Sequence, residues 1–274
     1  MIIDCFIFND ELPMLKFRLK ELNDVIDYFV LVESVATHSG IPKPLYYKDN
    51  QHLFNEYKYK IQHVIVDDVP ETTDPWHREN HQRNAITRGL VKLKLDEQDM
   101  IVISDCDEIP DPNLLKKIGL YGFNIFADDK NSAHLNQSEN DYDFDMEVFG
   151  LLQDFYYYNL LCKNVGIWWQ SRILTYRKFL ELPEPQAIRM MDLGSQYYRN
   201  AGWHFSYFGG AEKIINKIKS FAHQELNLAE YLSTQNIQDA ISNNRDLYHR
   251  DIIQFKHLPL TCNDYLPSNY KMLF

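Results

Sequence analysis

The sequence predicts an α/β fold in which a mostly parallel central sheet is flanked by helices. Two observations indicate it: strand-like and helix-like patterns alternate along the first half of the chain, and the strand-like runs are apolar along most of their length. Strands of that kind are covered on both faces, as in parallel sheets whose crossovers are helices. The 274 residues suffice for one large domain or two small ones. Ligands of such sheets bind beyond the carboxyl ends of the strands.

The elements of the first half follow from hydrophobic spacing. Four apolar runs predict strands at residues 2–8, 28–35, 61–66 and 100–104. A leucine at every third or fourth position predicts a helix over Leu12–Leu22. A longer helical pattern covers 76–95, and its apolar side consists of Ala85, Ile86, Leu90 and Leu93. Polar residues at the ends of these strands, Glu33 and Asp105 to Asp107 among them, are therefore the first candidates for a site.

The second half has a different character. Residues 127–149 carry seven acidic residues against one lysine and few aliphatic residues, which predicts a solvated insertion or a loop. The segments FYYYNLLCKN and RILTYRKFL then predict mixed or antiparallel strands. Two helical patterns follow at 211–225 and 228–242, and residues 255–274 show no clear period.

The composition excludes several classes of protein. Lys and Arg total 28 and Asp and Glu total 39, so the formal charge is −11, and we expect no nucleic-acid partner. Aromatic residues make up 14% of the chain, and such side chains line sugar and nucleotide sites as well as cores. No CxxC pair occurs, which favours free thiols in a reducing compartment. No run approaches the roughly 18–20 apolar residues that span a bilayer, so we expect a soluble, intracellular protein.

The segment DCDEIP follows the fourth predicted strand directly. Two carboxylates at i and i+2, Asp105 and Asp107, leave a buried strand at the mouth of a cleft. Hard oxygen ligands of this type suit Mg²⁺ or Mn²⁺, which keep open positions for diphosphate oxygens. A bare DxD is common in solvated turns, but its position after an apolar strand favours the metal site.

A second constellation is GWHFSYFGG, in which His204 lies in an aromatic run flanked by glycines. A histidine in such a run is often a core residue, but beside two carboxylates we interpret it as a third metal ligand or a phosphate contact. Gly209 and Gly210 open a predicted helix, whose amino end favours phosphate. The lysines of that helix, Lys213, Lys217 and Lys219, are interpreted as exposed, with phosphate contact as the alternative.

Three further groups of side chains are candidates. Arg78 and Arg83 can meet a diphosphate or a paired acid, and a salt-bridged helix face is an equal alternative for Arg78. His223 and Glu225, at the end of a predicted helix, are candidates for a general base. Trp168 and Trp169 can stack on an acceptor sugar or pack in the core.

Taken in order, DCFIFNDELPMLKFRLKEL, FVLVESVATHSG, WHRENHQRNAI, ISDCDEIPDP, FYYYNLLCKN, GWHFSYFGG and KIKSFAHQELN resemble glycosyltransferase family 17. The resemblance spans roughly residues 4 to 230. It implies a GT-A-like fold, a UDP-sugar donor such as UDP-GlcNAc, and inversion at the anomeric carbon. It also implies that Asp105 and Asp107 bind the metal ion, Mn²⁺ or Mg²⁺, and that Glu33 lies near the nucleobase and ribose.

The division of the chain and the candidate bases are further predictions. We interpret residues 1–274 as one domain, with a nucleotide-binding half (1–126), the acidic stretch (127–149), which can act as a lid, and an acceptor-side half (150–274). Inverting transfer needs one base opposite the leaving group, and Glu225 leads, followed by His223 and Asp192. The acceptor is expected to be a glycan, a polysaccharide or a lipid-linked sugar.

Two alternatives stay open, together with the question of location. A nucleotidyltransferase acting on sugar phosphates would carry a Gly-rich, basic loop after the first strand, where this chain has NDELPML. A catalytically inactive carbohydrate- or nucleotide-sugar-binding protein would not need the pair Asp105 and Asp107. The eukaryotic family member has an amino-terminal membrane anchor, which is not found here. We therefore expect a cytoplasmic enzyme of microbial or viral origin, with peripheral membrane contact left open.

Overall fold

The computed structural model describes residues 1–124, 147–182, 184–251 and 253–274. Within these ranges one mixed sheet is flanked by helices, as predicted. Its ten strands are β1 (Ile2–Phe8), β2 (Tyr28–Ser34), β3 (Ile61–Val66), β4 (Met100–Asp105), β5 (Glu108–Pro110), β6 (Val148–Tyr157), β7 (Cys162–Thr175), β8 (Tyr197–Tyr198), β9 (Gly202–Ser206) and β10 (Phe255–His257). The helices are α1 (Leu12–Leu22), α2 (Tyr46–Asp49), α3 (Pro75–Asn84), α4 (Ile86–Leu90), α5 (Pro112–Tyr121), α6 (Tyr176–Glu181), α7 (Pro185–Met190), α8 (Gly210–Ser220) and α9 (Thr234–Ser242).

The sheet has a parallel half and a mixed half. Its order is β3-β2-β1-β4-β7-β6-β9-β5, with β10 beside β7 and β8 beside β6. The first four strands are parallel to one another. β7 runs antiparallel to β4 and to β6, β9 is parallel to β6, and β5 is antiparallel to β9. The parallel first half and the mixed second half predicted from the sequence are confirmed, but residues 176–180 of the predicted strand segment RILTYRKFL belong to helix α6.

The central strands bury both faces because the apolar residues alternate between two cores. On β1, Phe6 and Phe8 pack with the apolar side of α1, whereas Cys5 and Ile7 belong to the core beneath α4. Gly89 of α4 brings that helix close to β2, since a Cβ there would lie 2.4 Å from Val30 Cγ1. A continuously apolar strand thus marks a position between two helical layers.

Several predicted boundaries are wrong. The single helix predicted over 76–95 is two helices, because the chain turns at Ala85 (φ −66°, ψ −7°) and α4 ends at Leu90. The turn directs α4 onto the sheet. The helix predicted over 211–225 ends at Ser220, so His223 and Glu225 lie beyond it, at a 3₁₀ turn. The helix predicted over 228–242 begins only at Thr234, where the Ser233 side chain accepts the Asn236 N–H at 3.4 Å.

Two other expectations concern single features. All four cysteines are free, and three of them are buried, as predicted. Most of the acidic stretch 127–149 lies outside the described residues, and with it the question of a lid. In the part of the chain that the structure covers, no helix combines the length and the apolar character that crossing a bilayer requires.

Candidate active site

The carboxyl ends of the parallel strands meet at one edge of the sheet, as the sequence predicts. The register places Ile7 of β1 beside Asp105 of β4, and Phe8 beside Glu33 of β2. The turn after β4 then continues into β5, which pairs with β9 so that Glu108 lies opposite His204. The acidic segment after β4 and the aromatic segment of β9 therefore come together, although about a hundred residues separate them.

Asp105 is held by two buried arginines. Arg83 Nη2 of α3 lies 2.8 Å from Asp105 Oδ1, and Arg189 Nη2 of α7 lies 2.8 Å from Oδ2. Both guanidinium groups are almost fully buried, while the Asp105 side chain is 28% exposed. The prediction that Arg83 meets a paired acid is confirmed. Because both carboxylate oxygens accept these bonds, Asp105 ties the end of β4 to α3 and α7.

Glu108 completes this buried network. Its carboxylate accepts bonds from Arg189 at 2.5 Å, from Trp168 Nε1 at 2.6 Å and from Ser171 Oγ at 2.7 Å. Burial disfavours the ionised form, but the Arg189 guanidinium outweighs it and lowers the pKa of Glu108. The same pairing, together with that to Asp105, raises the pKa of Arg189 despite its burial. The sequence analysis singled out neither Glu108 nor Arg189 as a site residue.

Asp107 has a different set of partners and is more buried than Asp105, with 12% of its side chain exposed. Lys217 Nζ of α8 lies 2.8 Å from Asp107 Oδ2, and His204 Nε2 lies 3.6 Å from Oδ1. Burial disfavours its ionised form, but the Lys217 ammonium and the His204 imidazole outweigh it and hold the pKa of Asp107 well below its usual range. Asp107 is therefore a carboxylate at any pH near neutrality. The predicted neighbourhood of Asp107 and His204 is present.

The aromatic residues around His204 fix its ring. Phe155 stacks on it with ring centroids 4.6 Å apart and planes at 8°, and the Trp168 ring lies 4.2 Å away. Among the described residues, His204 Nδ1 is buried without a hydrogen-bond partner. Trp168 is a packed aromatic, one of the two interpretations that the sequence left open. Trp169, in contrast, is 45% exposed, with the Arg172 guanidinium 5.8 Å from its ring.

The sequence analysis did not select the polar residues that follow β1, although they leave the same sheet edge as Asp107. Glu11 accepts the N–H groups of Asn9 and Asp10 at 3.0 Å each. Burial and the neighbouring charges of Asp10 and Asp107 raise the pKa of Glu11, and Lys217 acts in the opposite direction. The motif NDE after an apolar strand was the available signal.

Helix α8 brings two lysines into this region, Lys213 near its start and Lys217 in its last turn. Gly209 adopts φ +105° and Gly210 φ +80°, and the helix begins at Gly210, so the prediction that the glycine pair opens a helix is confirmed. Lys213 Nζ lies 3.2 Å from Asp10 Oδ2, four residues before Lys217 on the same helix. Lys219 is exposed, as expected. Phosphate binding at this helix end stays a prediction.

Glu33 and Arg78 hold loops in the structure. Glu33 is fully buried, accepts the Tyr47 N–H at 2.9 Å and lies 3.0 Å from His63 Nε2. Arg78 donates to the carbonyl oxygens of His38, at 3.1 Å, and Thr72. The alternative interpretation is a salt-bridged helix face; on this helix Glu79 forms an ion pair with Arg83 at 2.9 Å, whereas Arg78 bonds to backbone carbonyls. Contacts of Glu33 with a nucleoside and of Arg78 with a diphosphate stay predictions.

The three predicted bases lie in two different places. His223 Nδ1 is 2.6 Å from Glu225 Oε1, and the Trp76 ring contacts the His223 ring at 4.6 Å. Asp192 is exposed in another loop, where it accepts the Gly194 N–H at 3.0 Å. Among the described residues, no hydrogen bond or ion pair joins any of the three to Asp107.

The donor atoms near Asp107 fit a divalent cation in part. Within the described ranges, no group of three or more His, Cys, Asp or Glu residues is gathered as a complete metal site. Asp107 and His204 are suitable ligand types, and their proximity is compatible with a cation that takes its other ligands from a diphosphate and water. Asp105 accepts one bond on each carboxylate oxygen, from Arg83 and Arg189, so its part in holding the cation stays a prediction.

By comparison with known proteins, the chain belongs to the class of glycosyltransferases. The profile of glycosyltransferase family 17 matches residues 1–258, and the chain belongs to this family. The β-1,4-mannosyl-glycoprotein 4-β-N-acetylglucosaminyltransferases of Rattus norvegicus and Homo sapiens are each 33% identical to it over 115 residues. The match covers 40% of this chain and only 21% and 22% of those relatives, about a fifth of their length.

A structural comparison adds little. The galactosyltransferase LgtC, solved in complex with donor and acceptor sugar analogues, aligns over 100% of this chain and 95% of its own length. The sequence identity is 10% and the TM-score is 0.35. A likeness this low has no bearing on the assignment, which comes from the family profile.

Proposed function

We propose that this chain is an inverting, metal-dependent glycosyltransferase of the GT-A type that moves N-acetylglucosamine from UDP-GlcNAc to a hydroxyl of a carbohydrate acceptor. The observation that carries the proposal is the position of Asp107. It lies at the sheet edge where ligands of α/β folds bind, between His204 and Lys217. Membership of the family and the names of the two relatives support the sugar and the class of acceptor, a glycan, a polysaccharide or a lipid-linked sugar.

In this proposal the diphosphate of the donor binds lysine side chains and backbone N–H groups. Lys213 and Lys217 of α8 attract its oxygens, and the free N–H groups at the start of α8 favour an anion. Asp107 and His204 would hold Mn²⁺ or Mg²⁺, which supplies neutralisation of the charge on the leaving diphosphate. Asp105 fixes the backbone before Asp107 through its two arginines, so the Asp107 carboxylate is presented in one orientation.

Glu225 is the proposed base. Burial opposes its ionisation, but the hydrogen bond with His223 outweighs it and lowers the pKa of Glu225, which keeps the carboxylate ionised near neutral pH while making it a weaker proton acceptor. We expect Glu225→Gln to lower kcat by about 10²–10⁴-fold while the KM for the donor stays the same. Asp192→Asn, in the other loop, is expected to keep wild-type kcat; the reverse pattern would assign the base to Asp192.

The acceptor side of the proposal rests on one exposed aromatic residue. Trp169 of β7 is 45% exposed and offers a ring on which a sugar can stack. The cytoplasmic location and the microbial or viral origin belong to the same proposal, and their support is the sequence alone.

The test of the proposal is a panel of UDP-sugars assayed for Mn²⁺-stimulated hydrolysis, which needs no acceptor. We expect UDP-GlcNAc to be the preferred donor and Asp107→Asn to abolish the stimulation. Asp24→Asn, an exposed aspartate beyond α1, is the matched control and should behave as wild type. Absence of turnover with every UDP-sugar, with and without Mn²⁺, would contradict the proposal.

A further inference from the structure

The carboxylate of Asp107 already has a cation beside it, and that cation is a side chain. Lys217 Nζ lies 2.8 Å from Asp107 Oδ2 and 5.3 Å from the centroid of the Tyr207 ring. The side chain of Lys217 is 31% exposed, whereas that of Asp107 is 12% exposed. The ammonium is therefore the group that shields the carboxylate on its open side, and His204 lies near the other oxygen.

The backbone of the helix that carries Lys217 is anchored in the core, whereas the lysine side chain is long and flexible. Ile214 and Ile218 of α8 are fully buried in the core next to the aromatic residues of β6. The lysine is joined to this anchored backbone by four methylene groups, so the charge can move by several ångströms while the helix stays in place. Glu11 is a second acidic side chain whose charge acts on this ammonium, although burial raises the pKa of Glu11.

A divalent cation and this ammonium cannot share one carboxylate at close range without strong repulsion. If a cation binds Asp107, Lys217 must take a new partner, and a diphosphate provides one. Lys213, on the same helix, is paired with Asp10. Lys217 is therefore the lysine of α8 that is paired with the proposed metal ligand, Asp107.

We propose that Lys217 is an exchangeable counter-ion. It neutralises Asp107 before the donor binds and moves to a phosphate oxygen of the nucleoside diphosphate when a divalent cation occupies Asp107. This inference rests on the proposed function. It means that Mn²⁺ alone binds weakly, because it must displace the lysine, and that Mn²⁺ and UDP strengthen each other's binding, since the displaced ammonium then gains a phosphate. Such coupling is reciprocal and commonly amounts to about 5–150-fold.

The experiment is calorimetric titration of Mn²⁺ without UDP and of UDP with and without Mn²⁺, on wild type, Lys217→Met and Lys219→Met. In wild type we expect each ligand to tighten the other by about tenfold or more. In Lys217→Met, Mn²⁺ alone should bind about tenfold more tightly, while UDP at saturating Mn²⁺ binds more weakly and the coupling is lost. Lys219→Met removes the same charge from an exposed position two residues away and should match wild type.

The outcomes separate the two proposals. Wild-type protein that binds UDP and Mn²⁺, with equal Mn²⁺ affinity and coupling in Lys217→Met, overturns the exchange and leaves the proposed function in place. Wild-type protein that binds neither ligand overturns the proposed function and the exchange together. If Lys217→Met fails to fold, Lys217→Gln, which keeps a hydrogen-bond donor without the charge, takes its place with the same expected shifts.

Discussion

Two aspartates separated by one residue have different partners here, and their roles can be separated experimentally. Asp105 bridges Arg83 and Arg189, both buried, whereas Asp107 pairs with a partly exposed lysine and a histidine. The spacing of the pair could be predicted from the sequence, but the division of roles could not. Arg189 lies 84 residues from Asp105, and Lys217 lies 110 residues from Asp107, so only the fold brings them together.

The division predicts opposite effects of two matched substitutions. Asp105→Asn removes the negative charge that two buried guanidinium groups share. We therefore expect a loss of about 2–4 kcal/mol in the free energy of unfolding. This is at or below the usual cost of breaking a buried ion pair, because Arg189 still forms its ion pair with Glu108. Asp107→Asn breaks a pair whose lysine is partly exposed, so we expect a smaller loss, about 1–2 kcal/mol, together with the loss of Mn²⁺ binding. Urea unfolding and calorimetry measure the two effects. A stable Asp105→Asn protein that has lost Mn²⁺ would instead make Asp105 a direct ligand.

The buried network under Asp105 also predicts a dependence of stability on pH. The pKa of Glu108 is lowered in the folded protein, so its contribution is fully present above its ordinary value of 4.5 and is lost as the pH falls below it. Glu108→Gln removes this proton uptake, and we expect its melting temperature to fall less steeply than that of wild type between about pH 5 and pH 3. Glu181→Gln, at an exposed position, is the control with the wild-type slope. Equal slopes in all three proteins would contradict the pKa assignment.

At the level of elements, α8 positions the lysines. Gly209 and Gly210 determine where this helix begins. Hydrophobic spacing predicted β1 to β4 and the existence of α1 and α8, because these elements bury continuous apolar surface, but it did not predict the short strands β5, β8 and β10. The ends were less predictable: His223 and Glu225 continue the helical pattern in sequence but lie beyond Ser220, where the helix stops. The network around Arg189 was missed because α7 has only six residues and no helical period of its own.

This role of α8 predicts an effect of a single methyl group. Gly209 has φ +105°, and a Cβ there would lie 3.1 Å from Lys213 Cγ, so Gly209→Ala should cost about 1–2 kcal/mol and shift the first turn of the helix. We expect UDP affinity to fall several-fold. Gly122→Ala is the control, because Gly122 also has positive φ (+69°) but its Cβ would meet none of the described residues within 4 Å. A Gly209→Ala protein that is destabilised as much as the control but binds UDP like wild type would contradict the role of α8.

On the scale of the whole molecule, an acidic protein is proposed to bind an acidic donor. The net charge is −11, yet lysines of α8 and the loop after β2 surround the sheet edge where Asp107 lies. This grouping of lysines, each beside a carboxylate, could not be predicted from composition, since Lys43 and Lys217 come from distant parts of the chain. The α/β class and the location of the site at the carboxyl edge were predictable, because both follow from the order of apolar strands and helices.

The most direct measurement is a crystal structure of the protein with Mn²⁺ and UDP. We expect Mn²⁺ at about 2.1–2.2 Å from a carboxylate oxygen of Asp107, a distance typical of hard cations with oxygen ligands. Asp105 should still be bound to Arg83 and Arg189, and Lys217 Nζ should lie on a phosphate oxygen. Mn²⁺ and UDP bound away from the carboxyl edge of β4, with the Asp107–Lys217 ion pair unchanged, would contradict this site.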